Sequence, residues 1–302
     1  MNLSIVGLSY FGEKLCRDLQ RFHPGNRYRF YDTYRSRLAQ VRFMLDLPMS
    51  DLVLSLNGVS DFSGSIESAY RLGKKICFQW QGTDVSLAVS RKQNGQILER
   101  YIRKAHHLSV APWLSDELNT IGIKAKTLDF KWCYPTQNLH AFPGLQVYTY
   151  LVEGREQFYG WNLVKMLAEN HPETVFFVAG SRGTLLDKPS NVVFLGWLPQ
   201  EKMQELRDKC AVYLRLPEHD GYSYSVLEAL ASGSEVLWVR PGAHCHFVNP
   251  QNVSEVFKQV CESIQTRGFA RNLQYLEYIR TEHEPVQVLG TLLKELHAIL
   301  EN

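Results

Sequence analysis

No apolar run in this sequence approaches the ~18 residues of a membrane span. The opening Met1-Asn2-Leu3-Ser4-Ile5-Val6-Gly7 has no basic segment ahead of a long apolar core, so it reads as a first strand rather than a signal peptide. No C-x-x-C pair exists: Cys16, Cys77, Cys133, Cys210, Cys245 and Cys261 are scattered, and none stands at zinc-finger spacing from histidine. They read as reduced thiols of a cytosolic protein, several of them buried. His244-Cys245-His246 is too tightly spaced to chelate zinc without other ligands. There is no low-complexity tract and no repeat of 20–50 residues. Asp-x-Asp is absent, and so is G-x-G-x-x-G, because Ser9 occupies the middle glycine position of Gly7-x4-Gly12.

What is present is a globular composition, 45% hydrophobic and 21% charged over 302 residues, enough for two ordinary domains. The net charge of +2 conceals an asymmetry. Residues 1–145 carry 19 Lys+Arg against 12 Asp+Glu, and residues 146–302 carry 14 against 19. Seven arginines lie between Arg17 and Arg42. Such a half suits anionic membrane lipid, a lipid-phosphate acceptor or, less expected, nucleic acid, and equally a pair of solvated helix faces.

Short apolar segments alternate with amphipathic ones from the start. Strands are expected at Leu3–Val6, Tyr28–Tyr31, Leu52–Leu56, Lys75–Gln79, His107–Val110 and Lys124–Leu128. Helices are expected at Glu13–Phe22, Arg35–Leu45, Ser65–Leu72, Gln96–Ala105 and Pro112–Ile121. A second alternation runs through Leu145–Leu151, Gly160–Glu169, Val175–Val178, Val192–Leu195, Gln200–Lys209, Ala211–Leu214, Val226–Ser232 and Val236–Val239. Helices follow at Val253–Gln265, Phe269–Thr281 and Val286–Leu300. The pattern is α/β, with two doubly wound, Rossmann-like domains on parallel sheets. The boundaries read as 1–134, a proline-bearing linker 135–144, a second domain 145–284, and a C-terminal helix 285–302 that could cross back to the first domain. Facing domains of this kind bind ligands in the cleft between their strand C-terminal ends.

The stretch with most chemistry is Pro217-Glu218-His219-Asp220-Gly221-Tyr222-Ser223-Tyr224-Ser225-Val226-Leu227-Glu228-Ala229-Leu230-Ala231-Ser232-Gly233. A loop breaks the strand, Ser223 or Ser225 caps a helix, and Gly233 ends it. A helix opening after a parallel strand offers unpaired N–H groups and partial positive charge to an anion. Gly221 allows close approach of the backbone. Glu228 lies too far into the helix to cap it, but within reach of a ribose hydroxyl. The plain alternative is a surface loop and helix with solvated carboxylates.

Asp220-x7-Glu228, with glycine after the acid and Glu-Ala-x-Ala-x-Gly at the end, resembles the donor-site signature of retaining GT-B glycosyltransferases (the "glycosyl transferases group 1" family). That family usually has Glu at the first position. The resemblance covers the C-terminal half well and the N-terminal half loosely. It implies a transferase, a hexosyltransferase in expectation, moving sugar from a nucleotide-diphosphate sugar to a glycan, lipid-linked or other hydroxyl acceptor, as in polysaccharide biosynthesis. It implies that Asp220 faces the sugar, that the amides of Gly221, Tyr222, Ser223, Tyr224 and Ser225 hold the diphosphate, and that Glu228 binds the ribose. His219 rides on the same loop.

Gly154-Arg155 resembles the family's Gly-Arg after the first strand of this domain, where a guanidinium fork meets phosphate. The family's following Lys is replaced by Tyr159, so Arg182 and Arg215 are substitutes to consider. Asn191-Val192-Val193-Phe194-Leu195-Gly196-Trp197 resembles the strand and loop beside the base, with Gly196 in close approach and Trp197 stacking on the base or packing the loop. Gly7-x4-Gly12 resembles the family's glycine-rich loop near the donor phosphates and the acceptor. Trp80-Gln81-Gly82-Thr83-Asp84 lacks the family's His. Asp84 could serve the acceptor hydroxyl, and a helix N-terminal role is equally good physics. His106 and His107 read as structural.

No cofactor or metal is expected, because the family chemistry is metal-independent. A cytoplasmic protein follows, with peripheral contact at the inner membrane face through the basic half. The alternatives are a catalytically silent GT-B-like subunit, a GT-B sugar-nucleotide epimerase or hydrolase, and a dinucleotide oxidoreductase using Asp32.

Overall fold

The computed structural model describes residues 1–184 and 186–301. It divides into two compact units, one of Met1–Lys131 with the chain from Pro285 onward, the other of Trp132–Glu284.

The first unit alternates β1 (Asn2–Val6), α1 (Ser9–Phe22), β2 (Arg27–Tyr31), α2 (Arg37–Asp46), β3 (Leu52–Ser55), α3 (Gly64–Arg71), β4 (Lys75–Trp80), α4 (Thr83–Gln93), α5 (Glu99–Lys104), β5 (Ala105–Ser109), α6 (Pro112–Thr120) and β6 (Lys126–Thr127). All strands pair in parallel, in the order β2-β1-β3-β4-β5-β6. Helix α1 starts at Ser9, not Glu13, so Gly12 lies inside it. The helix crosses β2 so closely that a Cβ there would stand 2.1 Å from the Phe30 ring. Helix α4 spans eleven residues, and α5 is shorter than the expected 96–105. The closing helix α12 (Pro285–Glu301) belongs to this unit. It buries Val288, Leu289, Leu292, Leu293, Leu296 and Ile299. His23 Nε2 meets the Val286 carbonyl at 3.1 Å, and Lys75 Nζ donates to the Ile299 carbonyl at 3.1 Å.

The second unit contains β7 (Gln146–Tyr150), α7 (Trp161–Asn170), β8 (Val175–Ala179), β9 (Val192–Gly196), α8 (Gln200–Lys209), β10 (Val212–Arg215), α9 (Tyr224–Leu230), β11 (Glu235–Trp238), β12 (His246–Phe247), α10 (Val253–Thr266) and α11 (Leu273–Glu282). Its parallel order is β12-β11-β10-β7-β8-β9. The two-residue β12 has no periodicity to betray it and went unexpected. The core joins Val147, Trp161, Val164, Phe176, Leu214, Leu237 and Phe257, all buried. Residues 135–144 do not hang free as a linker. Thr136 N donates to the Ala231 carbonyl at 2.7 Å, Phe142 N to the Phe269 carbonyl at 2.9 Å, and the Phe142 side chain is buried. Arg271 locks that stretch by donating to the carbonyls of His140, Ser232 and Asp208, with its guanidinium 4.2 Å from the Phe142 ring centroid. Each unit is thus a Rossmann-like, doubly wound parallel sheet.

Candidate active site

Ligands of open parallel sheets bind beyond the strand C-termini, where the strand order reverses. In the second unit that point lies between β7 and β10. The loop after β7 carries Gly154 and Arg155, and the loop after β10 carries His219 to Ser223, with Tyr224 and Ser225 opening α9. The two are joined. Glu218 N donates to the Phe158 carbonyl at 2.9 Å. Gly160, at φ +91°, sits so close to Leu216 that a Cβ would be 2.3 Å from its carbonyl oxygen.

Asp220 is buried, and both carboxylate oxygens are engaged. Arg215 grips them as a fork, Nη2 to Oδ1 at 2.7 Å and Nε to Oδ2 at 2.8 Å. Trp238 Nε1 adds a third donor at 3.0 Å. Burial works against the charge of the Arg215 guanidinium, but Asp220 outweighs it and the pKa goes up. The Arg215 guanidinium lies 5.3 Å from the centroid of Tyr159, the residue standing where a second cation was expected. A positive charge does reach that place, from β10, but it is matched to Asp220. The acid expected to face a sugar therefore ties the loop to the sheet.

Ser223 is the residue before α9, yet its hydroxyl caps no backbone N–H. It bonds Ser225 Oγ at 2.7 Å, and Ser225 Oγ accepts from Tyr213 Oη at 2.6 Å. The N-cap role expected of either serine is thus replaced by a hydroxyl chain. Tyr222 packs edge-on to Trp238, and Tyr224 edge-on to Trp132. Gly221 is buried, and His219 is half-buried. Glu228 is half-buried, and its Oε2 accepts from Arg207 Nη1 at 3.0 Å. Arg207 is buried on α8, and its Nη2 donates to Gln204 Oε1 at 3.0 Å. One oxygen of Glu228 is held, and among the described residues the other accepts no hydrogen bond. Sequence reasoning missed Arg207, because no local pattern links it to a helix in another βα unit.

Arg155 is exposed, its guanidinium 4.5 Å from the Phe158 centroid. Arg182 is exposed at the end of β8. Among the described residues neither forms an ion pair. The neighbouring acids are used elsewhere: Glu153 Oε2 accepts from the Arg182 N–H at 2.6 Å, and Glu156 Oε1 from Ser181 Oγ at 2.6 Å and Gly154 N at 3.1 Å. Gly196, at φ +66°, lets the Arg182 side chain lie across it; a Cβ would meet Arg182 Cγ at 3.4 Å. Trp197 is 75% exposed, so it does not pack its own loop.

In the first unit the order reverses between β1 and β3. Gly7, at φ +112°, closes on the β3 loop, where a Cβ would be 2.7 Å from Asn57 Oδ1. Asp84 sits in the first turn of α4 and accepts from four backbone N–H groups: Gly58 at 2.6 Å, Gly82 at 2.7 Å, Gln81 at 3.0 Å and Val85 at 3.0 Å. Burial pushes its pKa up, against those four donors. Of its two expected roles, this is the helix N-terminal one. A cavity of about 700 Å³ opens beside it, between α2, the β3–α3 loop and α4. His107 is structural: Nδ1 accepts from Trp80 Nε1 at 3.1 Å and Nε2 meets the Ile102 carbonyl at 2.8 Å.

His246 Nε2 lies 2.8 Å from Glu235 Oε2. Burial alone would raise the Glu235 pKa, but His246, Tyr275 and Arg267 bring it down to about 2. Among the described residues no three His, Cys, Asp or Glu side chains gather as a metal site requires. No described helix is long and apolar enough to cross a membrane.

No protein-family model and no curated protein matches the sequence. Solved structures do resemble the fold. Sucrose-phosphate synthase from Thermosynechococcus elongatus superposes with a TM-score of 0.65 at 11% identity, over 99% of this chain and 100% of that one. The pneumococcal O-GlcNAc transferase GtfA, in complex with UDP and GlcNAc, gives 0.58 at 12% identity over 87% of this chain. This chain spans 60% of the GtfA length. The UDP-GlcNAc 2-epimerase from Neisseria meningitidis, bound to UDP-GlcNAc, gives 0.52 at 13% identity over 99% of both chains. Such likenesses define the GT-B fold, which is shared by glycosyltransferases and sugar-nucleotide epimerases.

Proposed function

We propose that the protein is a glycosyltransferase that takes its sugar from a nucleotide-diphosphate donor held at the β7/β10 edge of the second unit. The observation that carries this reading is the set of groups at that edge and beside it: Arg155 and Arg182 with exposed side chains that form no ion pair among the described residues, the first turn of α9 uncapped by a side chain, and Glu228 with one oxygen held by Arg207. Charge grows on the diphosphate as the glycosidic bond breaks. Fixed cations and amides lower that barrier. Arg155 contacts the diphosphate, Glu228 takes a ribose hydroxyl, and Trp197 offers its exposed face to the base. Asp220 acts as a positioning residue, holding Gly221 to Ser223 in place through Arg215 and Trp238. The transfer retains configuration and needs no metal, and the acceptor hydroxyl belongs to a glycan or lipid-linked glycan. Asp84 shapes the first unit's loops rather than moving a proton.

The test is a thermal-shift panel with UDP, GDP, ADP, CDP, NAD and NADP. A ligand at ~100 times its dissociation constant adds about 2.7 kcal/mol, several degrees for a unit of this size. The expected result is a shift with one nucleoside diphosphate that is lost in Glu228→Ala. No shift with any diphosphate would point to a silent subunit, and a shift only with NAD or NADP to an oxidoreductase. Donor turnover without any acceptor would replace the transferase with an epimerase or hydrolase.

A further inference from the structure

Helix α2 has two apolar faces, and the protein covers only one. Phe43 is buried, with Ala39 one turn before it on the same side. On the other side Leu38, Val41 and Leu45 follow at i, i+3 and i+7 and are 60%, 55% and 72% exposed. Met49, just past the helix, is 53% exposed. A solvated helix does not ordinarily show three large aliphatics in one stripe. The charged residues between 33 and 45 are all arginine. Arg35, Arg37 and Arg42 are exposed, and among the described residues none of them forms an ion pair. The one acid of α2, Asp46, is already taken by Arg29 and by the Tyr31 hydroxyl. An apolar stripe bordered by unpaired arginines matches the interface of an anionic bilayer: side chains enter the acyl boundary while guanidinium groups meet lipid phosphates.

We propose that α2 seats the first unit on an anionic membrane surface through Leu38, Val41 and Leu45, with Arg35, Arg37 and Arg42 on the headgroups. The cavity of about 700 Å³ shares this helix, for Met44 lines it together with Tyr34 and Phe62. Those three are 47%, 60% and 69% exposed. The cavity thus has an apolar rim beside the docking stripe, and an acceptor reaching it comes from the membrane with its hydroxyl on a lipid-borne headgroup. This second step rests on the transferase reading; the docking itself does not.

The experiment is co-sedimentation of the full chain with vesicles of phosphatidylcholine alone, and of phosphatidylcholine with 30 mol% phosphatidylglycerol (a composition on the order of natural anionic membranes). The expected result is binding to the anionic vesicles only, weakened by salt. Leu38→Glu/Leu45→Glu and, separately, Arg37→Glu/Arg42→Glu should each lower partition by about tenfold or more. Both pairs are exposed, so melting temperature and the nucleoside diphosphate shift should stay as in the parent. Equal binding to both vesicles, or parent-like partition by the Leu variant, would overturn the docking. So would light scattering that shows a dimer dispersed by Leu38→Glu/Leu45→Glu, since the stripe would then be a self-interface. If vesicles bind but no diphosphate shifts the protein, docking stands and the transferase reading falls.

Discussion

In the first unit, the loops beyond the strands are tied down by main chain: four backbone N–H groups converge on Asp84, and Gly7 closes directly on Asn57. In the second, the equivalent edge is tied by side-chain charge, with Arg215 and Trp238 on Asp220 and Arg207 on Glu228. Both sheets are parallel and six-stranded, so topology does not make this difference. It teaches where chemistry can be placed. A carboxylate spent on four backbone donors leaves the loops around it for shape, and the first unit offers a cavity. A loop held by buried ion pairs concentrates fixed charge at its edge, and the second unit offers guanidinium and carboxylate groups.

The comparison breaks most visibly at Arg215. Arg215→Ala leaves the Asp220 carboxylate buried without its fork, and should cost the second unit about 3–5 kcal/mol. Calorimetry should show a melting temperature lower by roughly 10 °C for that unit, with the first unit unmoved. A loss under about 1 kcal/mol would mean that the pair is solvated like a surface bridge. Acid comes next, acting on the second unit through Glu235. The folded pKa of Glu235 is depressed to about 2 from an ordinary 4.5. Its contribution is therefore complete above about pH 4.5 and is lost as pH falls toward 2. The loss is at most about 3 kcal/mol. Urea titrations across that range should show a slope that Glu235→Gln flattens; an unchanged slope would remove Glu235 from the acid response. In the first unit, Asp84→Ala deprives four amides of a charged acceptor and should cost about 2 kcal/mol, detectable as faster amide exchange at Gly58 and Gly82. Glu228→Ala leaves the buried Arg207 guanidinium with Gln204 alone and should cost about 1–3 kcal/mol, while nucleoside diphosphate affinity measured by calorimetric titration should fall about tenfold. Unchanged affinity would take Glu228 out of the proposed site.

The alternation of apolar and amphipathic segments made the two Rossmann-like sheets legible, because buried parallel strands read as short continuous runs. Helix starts were less so: Ser9 opens α1 with no cap, and only the approach of Phe30 explains the glycine inside it. The stretch 135–144 looked like a linker because prolines suppress periodicity, whereas its attachment runs through backbone carbonyls and a buried Arg271. At the site, sequence could name Asp220, Arg155 and Glu228 but not their partners. Arg207 and Trp238 come from other βα units, and contact across a sheet leaves no mark in local spacing. The second apolar face of α2 was hidden for the opposite reason. Apolar residues on both sides of a helix cancel as a periodic signal, so only exposure reveals which side is left over.

The joint between residues 154–160 and 216–220 has a mechanical meaning. Gly160 leaves no gap against Leu216, and Glu218 is pinned to Phe158. The two loops therefore have no independent hinge and travel as one lever. A ligand bound at Arg155, as proposed, would therefore be felt at 216–220 through these two contacts. Amide chemical shifts of 155–159 and 217–222 should respond to a bound diphosphate as a single group, with one midpoint, rather than as two loops closing in turn.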